Sequence, residues 1–119
     1  VTDVLTAYEL NQYMLAASEK VTQTVTEYET RAKAWATAKY DVELARSQEY
    51  PKTKGTVDER KAKVFYACRE YEQAELQADA LRNSADRAVK AALAQLSALQ
   101  SSAAALRAEL QLVRTDNYS

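Results

Sequence analysis

The sequence predicts an all-α protein, a long antiparallel helical hairpin of coiled-coil character that assembles into an oligomeric bundle or ring. Three observations predict it. The 119 residues include one Gly and one Pro, far below ordinary usage, so very little in the chain interrupts a helix. Those two residues, Pro51 and Gly55, fall together in one short stretch near the middle. On both sides of that stretch apolar residues recur three or four apart, the spacing of one helical face.

The chain reads as a single domain over residues 1–119, with a first helix over 3–49, a loop over 50–56, a second helix over 57–113 and a frayed tail over 114–119. In the first arm the stripe runs Leu10, Met14, Ala17, Val21, Val25, Tyr28, Ala32, Trp35, Lys39 and Val42, with Lys39 the one misfit. Pro51 disfavours the helical region for Tyr50 and so ends this arm near Glu49. Gly55 supplies the backbone freedom of a tight reversal. Thr56-Val57-Asp58-Glu59 then has the form of a capping box, with acids at the positive end of the next helix.

The second arm carries Val64, Ala67, Tyr71, Ala74, Ala78, Leu81, Ala85, Ala88, Ala92, Leu96, Leu99, Ala103, Leu106, Leu110 and Val113. A repeat held this long specifies supercoiled helices, and the short connection makes the arms antiparallel neighbours. The competing architecture is an irregular bundle with the second arm broken near Asn83-Ser84. The Ala-rich middle brings helices close but buries little area per residue, so one hairpin alone has a thin core. Leu93, Leu96, Leu99, Leu106, Leu110 and Val113 form a band wider than one partner helix covers, and they are the expected oligomerisation surface.

The same residues exclude most chemistry. There is no His, which removes the commonest general base and metal ligand and forbids Cys–His and Ser–His–Asp arrangements. One Gly cannot build a phosphate-cradling loop. The single Cys68 has no disulfide partner in the chain, as in a reducing compartment, and its place beside the stripe reads as core. Glu70, Glu72, Glu75 and Asp79, with Arg69 and Arg82, read as a solvated, ion-paired face rather than an acid–base pair. The expectation is no enzyme, no cofactor and no metal. No run approaches the roughly 18 apolar residues of a membrane span, and the first residues do not resemble a signal peptide, so a cytoplasmic location is expected.

Charge is segregated. Residues 1–30 carry a net −4, residues 31–69 a net +5 and residues 70–119 a net −2, within a chain total of −1. A reversal at Gly55 brings both arms of the basic stretch to one end, where Tyr40, Tyr50, Phe65 and Tyr66 lie among the cations. Trp35 reads as core. Cations for phosphates and rings for unpaired bases are the ingredients of single-strand nucleic-acid binding. The candidate contact residues are Lys39, Arg46, Tyr50, Lys52, Lys54, Arg60, Lys61, Lys63 and Tyr66. The same basic end also suits an acidic protein partner.

The run Glu43-Leu44-Ala45-Arg46-Ser47-Gln48-Glu49-Tyr50, the basic Gly-containing loop, and then Asp58-Glu59-Arg60-Lys61 resemble the UvsY-type recombination mediators of phages. Tyr28 and Trp35 upstream share that likeness, which covers residues 28–70. The resemblance implies a ring-like homo-oligomer that binds single-stranded DNA. It implies too that the protein helps load a recombinase onto strands covered by single-strand-binding protein, in the cytoplasm of a bacterial host. By the same resemblance Arg46 falls on the DNA-contacting helix, and Lys52 and Lys54 fall in the basic loop. Pro51, the single loop Gly and the long C-terminal Leu/Ala run depart from the family pattern and leave the oligomer number open. The alternative reading is a phage helical interaction or assembly protein, either a structural component or an inhibitor of a host defence protein, acting through protein–protein contacts.

Overall fold

The structure is a computed structural model that describes residues 6–118, with side chains through residue 115. It is all-α. Helix α1 spans Ala7–Glu49, a 3-10 turn spans Tyr50–Lys52, α2 spans Val57–Ala67 and α3 spans Arg69–Tyr118.

The expected start of the first helix at residue 3 lies outside the described residues. The first described turn is closed by a reciprocal capping box. The Thr6 hydroxyl accepts from the Glu9 N–H at 3.1 Å and the Glu9 carboxylate accepts from the Thr6 N–H at 3.2 Å. At the other end, residues 114–118 of the tail expected to fray continue α3 to Tyr118, and Ser119 lies outside the described residues. No Gly or Pro follows Leu110 to stop the helix.

The loop is more ordered than the sequence suggests. Tyr50 stays in a helical turn, and Pro51 sits at the start of that turn, where its missing N–H has no bond to forfeit. Gly55 adopts φ +122°, a conformation only glycine takes without strain. Thr56 then caps α2, its hydroxyl accepting from the Glu59 N–H at 3.2 Å.

The second arm is interrupted at Cys68, not near Asn83-Ser84. Cys68 has φ −100° and ψ 8°, yet its N–H still reaches the Val64 carbonyl at 2.9 Å and its carbonyl accepts from Glu72 at 3.0 Å. The interruption is a one-residue distortion of a nearly continuous helix.

The chain divides into two compact units, Thr26–Asp86 and a pairing of Val1–Val25 with Arg87–Ser119. In the second of these, Leu10, Ala17, Thr24, Ala92 and Ala103 are buried, and Met14, Val21, Val89, Leu96, Leu99 and Leu106 are half-buried. Thr24 takes the place expected for Val25, which is exposed. Steps of four and three from Leu10 through Met14, Ala17 and Val21 land on Thr24, as a heptad seam requires. Its hydroxyl bonds the Lys20 and Val21 carbonyls at 3.0 and 2.9 Å, so its burial leaves nothing unsatisfied.

The expected association band is split here. Leu96, Leu99 and Leu106 point into this unit's own seam, whereas Leu93, Leu110 and Val113 are exposed, together with Leu112. The seam claims every third or fourth position, and the remaining leucines face outward.

In the unit Thr26–Asp86, Val42, Ala45, Val64, Cys68 and Ala85 are buried, and Trp35, Ala38, Glu72, Glu75, Asp79 and Arg82 are half-buried. The expected stripe holds at Val64, Ala78 and Ala85 and is displaced by one position at the others in this part of the second arm. Ala67, Tyr71, Ala74 and Leu81 are exposed, and the seam holds Cys68, Glu72, Glu75 and Arg82. Of the carboxylates read as a solvated, ion-paired face, Glu70 is exposed, Glu72, Glu75 and Asp79 are half-buried, and Glu72 and Asp79 are ion-paired. Lys39 is exposed and Ala38 takes its seam position, because a Lys ammonium is too costly to bury unpaired. Among the described residues, no buried side-chain polar atom lacks a hydrogen-bond partner.

Candidate functional site

The end of the unit Thr26–Asp86 is built by the last turn of α1, the Tyr50–Lys52 turn and the first two turns of α2. Its organising group is the Tyr50 carbonyl. That oxygen accepts from the Thr53 N–H at 3.2 Å, the Thr53 hydroxyl at 2.8 Å and the Arg60 guanidinium at 3.2 Å. Arg60 also lies 4.1 Å from the centre of the Tyr50 ring and donates to the Thr53 hydroxyl at 3.3 Å. One cation thus fastens α2 to the turn by stacking and by two hydrogen bonds. Lys63 does similar work, donating to the Lys54 carbonyl at 2.7 Å. Arg60 and Lys63 hold the loop's shape as well as carrying charge.

Beside this clasp lies an open groove of about 690 Å³, lined by Arg46, Ser47, Tyr50, Pro51, Lys61, Val64 and Phe65. Both arms contribute to it, so the reversal at Gly55 does place cations from α1 and α2 together. Of the candidate contact residues, only Arg46, Tyr50 and Lys61 line the groove.

The other candidates are spread around it. Lys52 is 70% exposed, with a 3.6 Å contact to Glu49. Lys54 and Lys61 have no acidic partner among the described residues. Lys39 lies farther along α1, 5.3 Å from the Trp35 ring centre. Tyr66 is exposed with the Arg69 guanidinium 4.3 Å from its ring centre, and it does not reach the groove.

Arg46 is the groove cation that an acid engages. It forms an ion pair with Glu72 across the two arms, with the Glu72 side chain 18% and the Arg46 side chain 52% exposed. The guanidinium is therefore shared between an internal carboxylate and solvent.

Comparison with known families, curated proteins and solved structures gives no match. What this end of the molecule can do therefore follows from its own side chains.

Phe65, which was not among the candidate contacts, lines the same groove as Arg46, Tyr50 and Lys61. It is 65% exposed and lines both the groove and a second, smaller hollow of about 420 Å³ with Trp35, Arg69, Glu72, Leu76, Asp79 and Arg82. Its place one residue beyond Val64, off the seam of α2, was the signal available in the sequence. Trp35 is half-buried between cations, 4.0 Å from Arg82 and 5.3 Å from Lys39. Arg82 is held in turn by Asp79 at 2.6 Å. That stacked set braces the arms.

Cys68 is fully buried against Ala45 and Val64. Burial pushes its thiol above the ordinary value, Glu49 and Glu72 push the same way, and Arg46 opposes them. A buried, protonated thiol is a poor nucleophile. Among the described residues no group of His, Cys, Asp or Glu is arranged to hold a metal ion, and no helix is long and apolar enough to cross a membrane.

Proposed function

We propose that this protein binds single-stranded DNA through the basic end of the unit Thr26–Asp86 and acts without catalysis as a recombination accessory. In this reading it works in the cytoplasm as a homo-oligomer and helps load a recombinase onto strands covered by single-strand-binding protein. The observation that carries the reading is the groove in which Arg46 and Lys61 flank the rings of Tyr50 and Phe65. Exposed Lys52 and Lys54 stand on the adjoining loop. Cations neutralise phosphates and displace counterions, while exposed rings stack on unpaired bases. The likeness of residues 28–70 to UvsY-type mediators supports the recombination part of the proposal.

Titration of a fluorescent single-stranded oligonucleotide by anisotropy tests it. Binding is expected to weaken steeply as salt rises. Replacing Arg46, Lys52 and Lys54 together by Ala is expected to abolish binding with helicity and oligomer size intact. A triple variant that binds normally would remove this end of the molecule from the proposal.

One observation favours a second reading, an interaction or assembly protein. Leu110 and Val113 are 52% and 57% exposed near the end of α3 and line one surface hollow there, an apolar patch of the kind that protein contacts use. A pull-down that captures one protein partner, with no shift of labelled oligonucleotide, would select that reading.

A further inference from the structure

Resting on the DNA reading above, we infer that the groove between α1 and α2 is a receptor for one unpaired base with its adjoining phosphate, with Phe65 as the stacking platform. Three features of the groove carry this. Its only charged lining groups are Arg46 and Lys61, both cationic, so the favoured ligand is an anion. Its remaining wall is mostly apolar and partly flat, made by Tyr50, Pro51, Val64 and Phe65. Pro51 has no N–H to leave unpaired when covered. The ligand should therefore combine a planar apolar body with a negative charge, which describes a nucleotide.

The neighbouring groups leave Phe65 available for that role. The Tyr50 ring is already covered on one side by the Arg60 guanidinium, which fixes it as a wall. Tyr66 carries Arg69 on its ring. Phe65 has no cation over it among the described residues and is 65% exposed. Ser47 donates its hydroxyl hydrogen to the Leu44 carbonyl at 2.8 Å. Its oxygen lone pairs remain able to accept from a base N–H.

The groove's size and reach agree with this ligand. At about 690 Å³ it lies within the roughly 300–1,000 Å³ usual for small-molecule sites. Its lining comes from residues 46–51 and 61–65, little more than one turn from each arm. A partner helix would need anchors spread over two turns, which favours a nucleotide over a helical peptide. Bases in a duplex have both faces stacked, so the groove selects single strands.

Two fluorescent oligonucleotides of equal length and charge test this, one of deoxythymidylate and one with abasic sugars throughout. The wild-type protein is expected to bind the thymidylate oligomer roughly 5- to 150-fold more tightly, the range of one stacked base. Phe65→Ala should erase that preference, whereas Phe65→Tyr should keep it. Lys61→Glu should weaken both oligomers alike. Because Phe65 is solvent-exposed, its variants should keep the wild-type helical content, checked by circular dichroism.

Equal affinity of the wild type for both oligomers would overturn the base receptor and leave the DNA reading standing. So would a Phe65→Ala variant that retains the full preference. Absence of binding to either oligomer would overturn both. Loss of a captured protein partner in Phe65→Ala, with both oligonucleotide affinities unchanged, would assign the groove to protein instead.

Discussion

Neutralising Glu72 should strengthen DNA binding, because that carboxylate competes with phosphate for Arg46. The two side chains form an ion pair across the arms, and Arg46 has one edge in the groove. With Arg46 about half exposed, solvent screens the pair, and its worth is about 0.5–1 kcal/mol. Glu72→Gln removes the competition and keeps the side chain's volume and hydrogen-bonding capacity. That energy should return to binding as a roughly 2- to 5-fold gain in affinity. The salt dependence gives a second, independent measure. Each further phosphate neutralised on a single strand steepens the slope of log K against log salt by about 0.7. Anisotropy titrations across a series of salt concentrations supply both numbers. Arg46→Ala should weaken binding by itself and should cancel the benefit of Glu72→Gln in the double variant. A Glu72→Gln protein with unchanged affinity and slope would refute the competition. So would an equal gain in the Arg46→Ala background, since the benefit would then not pass through Arg46.

Three further expectations concern the frame that holds this site. Gly55→Ala should lower unfolding stability by about 1–3 kcal/mol in urea titrations, since φ is +122° and an added methyl would meet the Glu59 side chain; adding Glu59→Ala should relieve the collision but not the backbone strain. Thr6→Ala and Thr56→Ala should each cost about 1 kcal/mol by thermal melting, because each hydroxyl accepts from the N–H three residues on. Cys68 should resist a disulfide reagent until the chain opens. Because folding raises its thiol above the ordinary 9.0, its contribution to stability is complete below that value and is lost as pH rises through the raised one; the alkaline loss should shrink in Cys68→Ala, measured by urea unfolding across alkaline pH.

The hairpin was legible because its signals are local and unopposed. Pro51, Gly55 and Thr56 punctuate the chain once, and the end of α1 at Glu49 and the start of α2 at Val57 follow from them. A second Thr-x-x-Glu, at Thr6–Glu9, carried the same information for the start of α1. The register was harder to read because side-chain size and seam position disagree in places. Val25, Tyr71 and Leu81 drew the apolar stripe toward themselves, yet two helices that pair along a seven-residue repeat cover Thr24, Glu72 and Arg82 instead. Nothing in the sequence marks Cys68 as the interruption, since no breaker is present. The distortion shows only in its backbone angles, and it sits where the tightly packed Ala45, Val64 and Cys68 cluster gives way to a polar seam.

That polar seam explains how an end with this much charge of both signs can still present a cationic groove. Across residues 26–86 acids slightly outnumber bases, so composition alone predicts no attraction for an anion. Position reverses the balance. Glu72, Glu75 and Asp79 are half-buried, two of them engaged with Arg46 and Arg82, and they sit beyond the distortion at Cys68. Lys52, Lys54, Lys61 and Lys63 are exposed on the loop and the first turns of α2. Asp58 and Glu59 share that region, but they stand at the positive end of α2, where the helix dipole offsets part of their charge. The register that leaves Tyr71 and Leu81 in water thus keeps Glu72, Glu75 and Asp79 half-buried, and of these three only Glu72 is paired with a groove cation, Arg46.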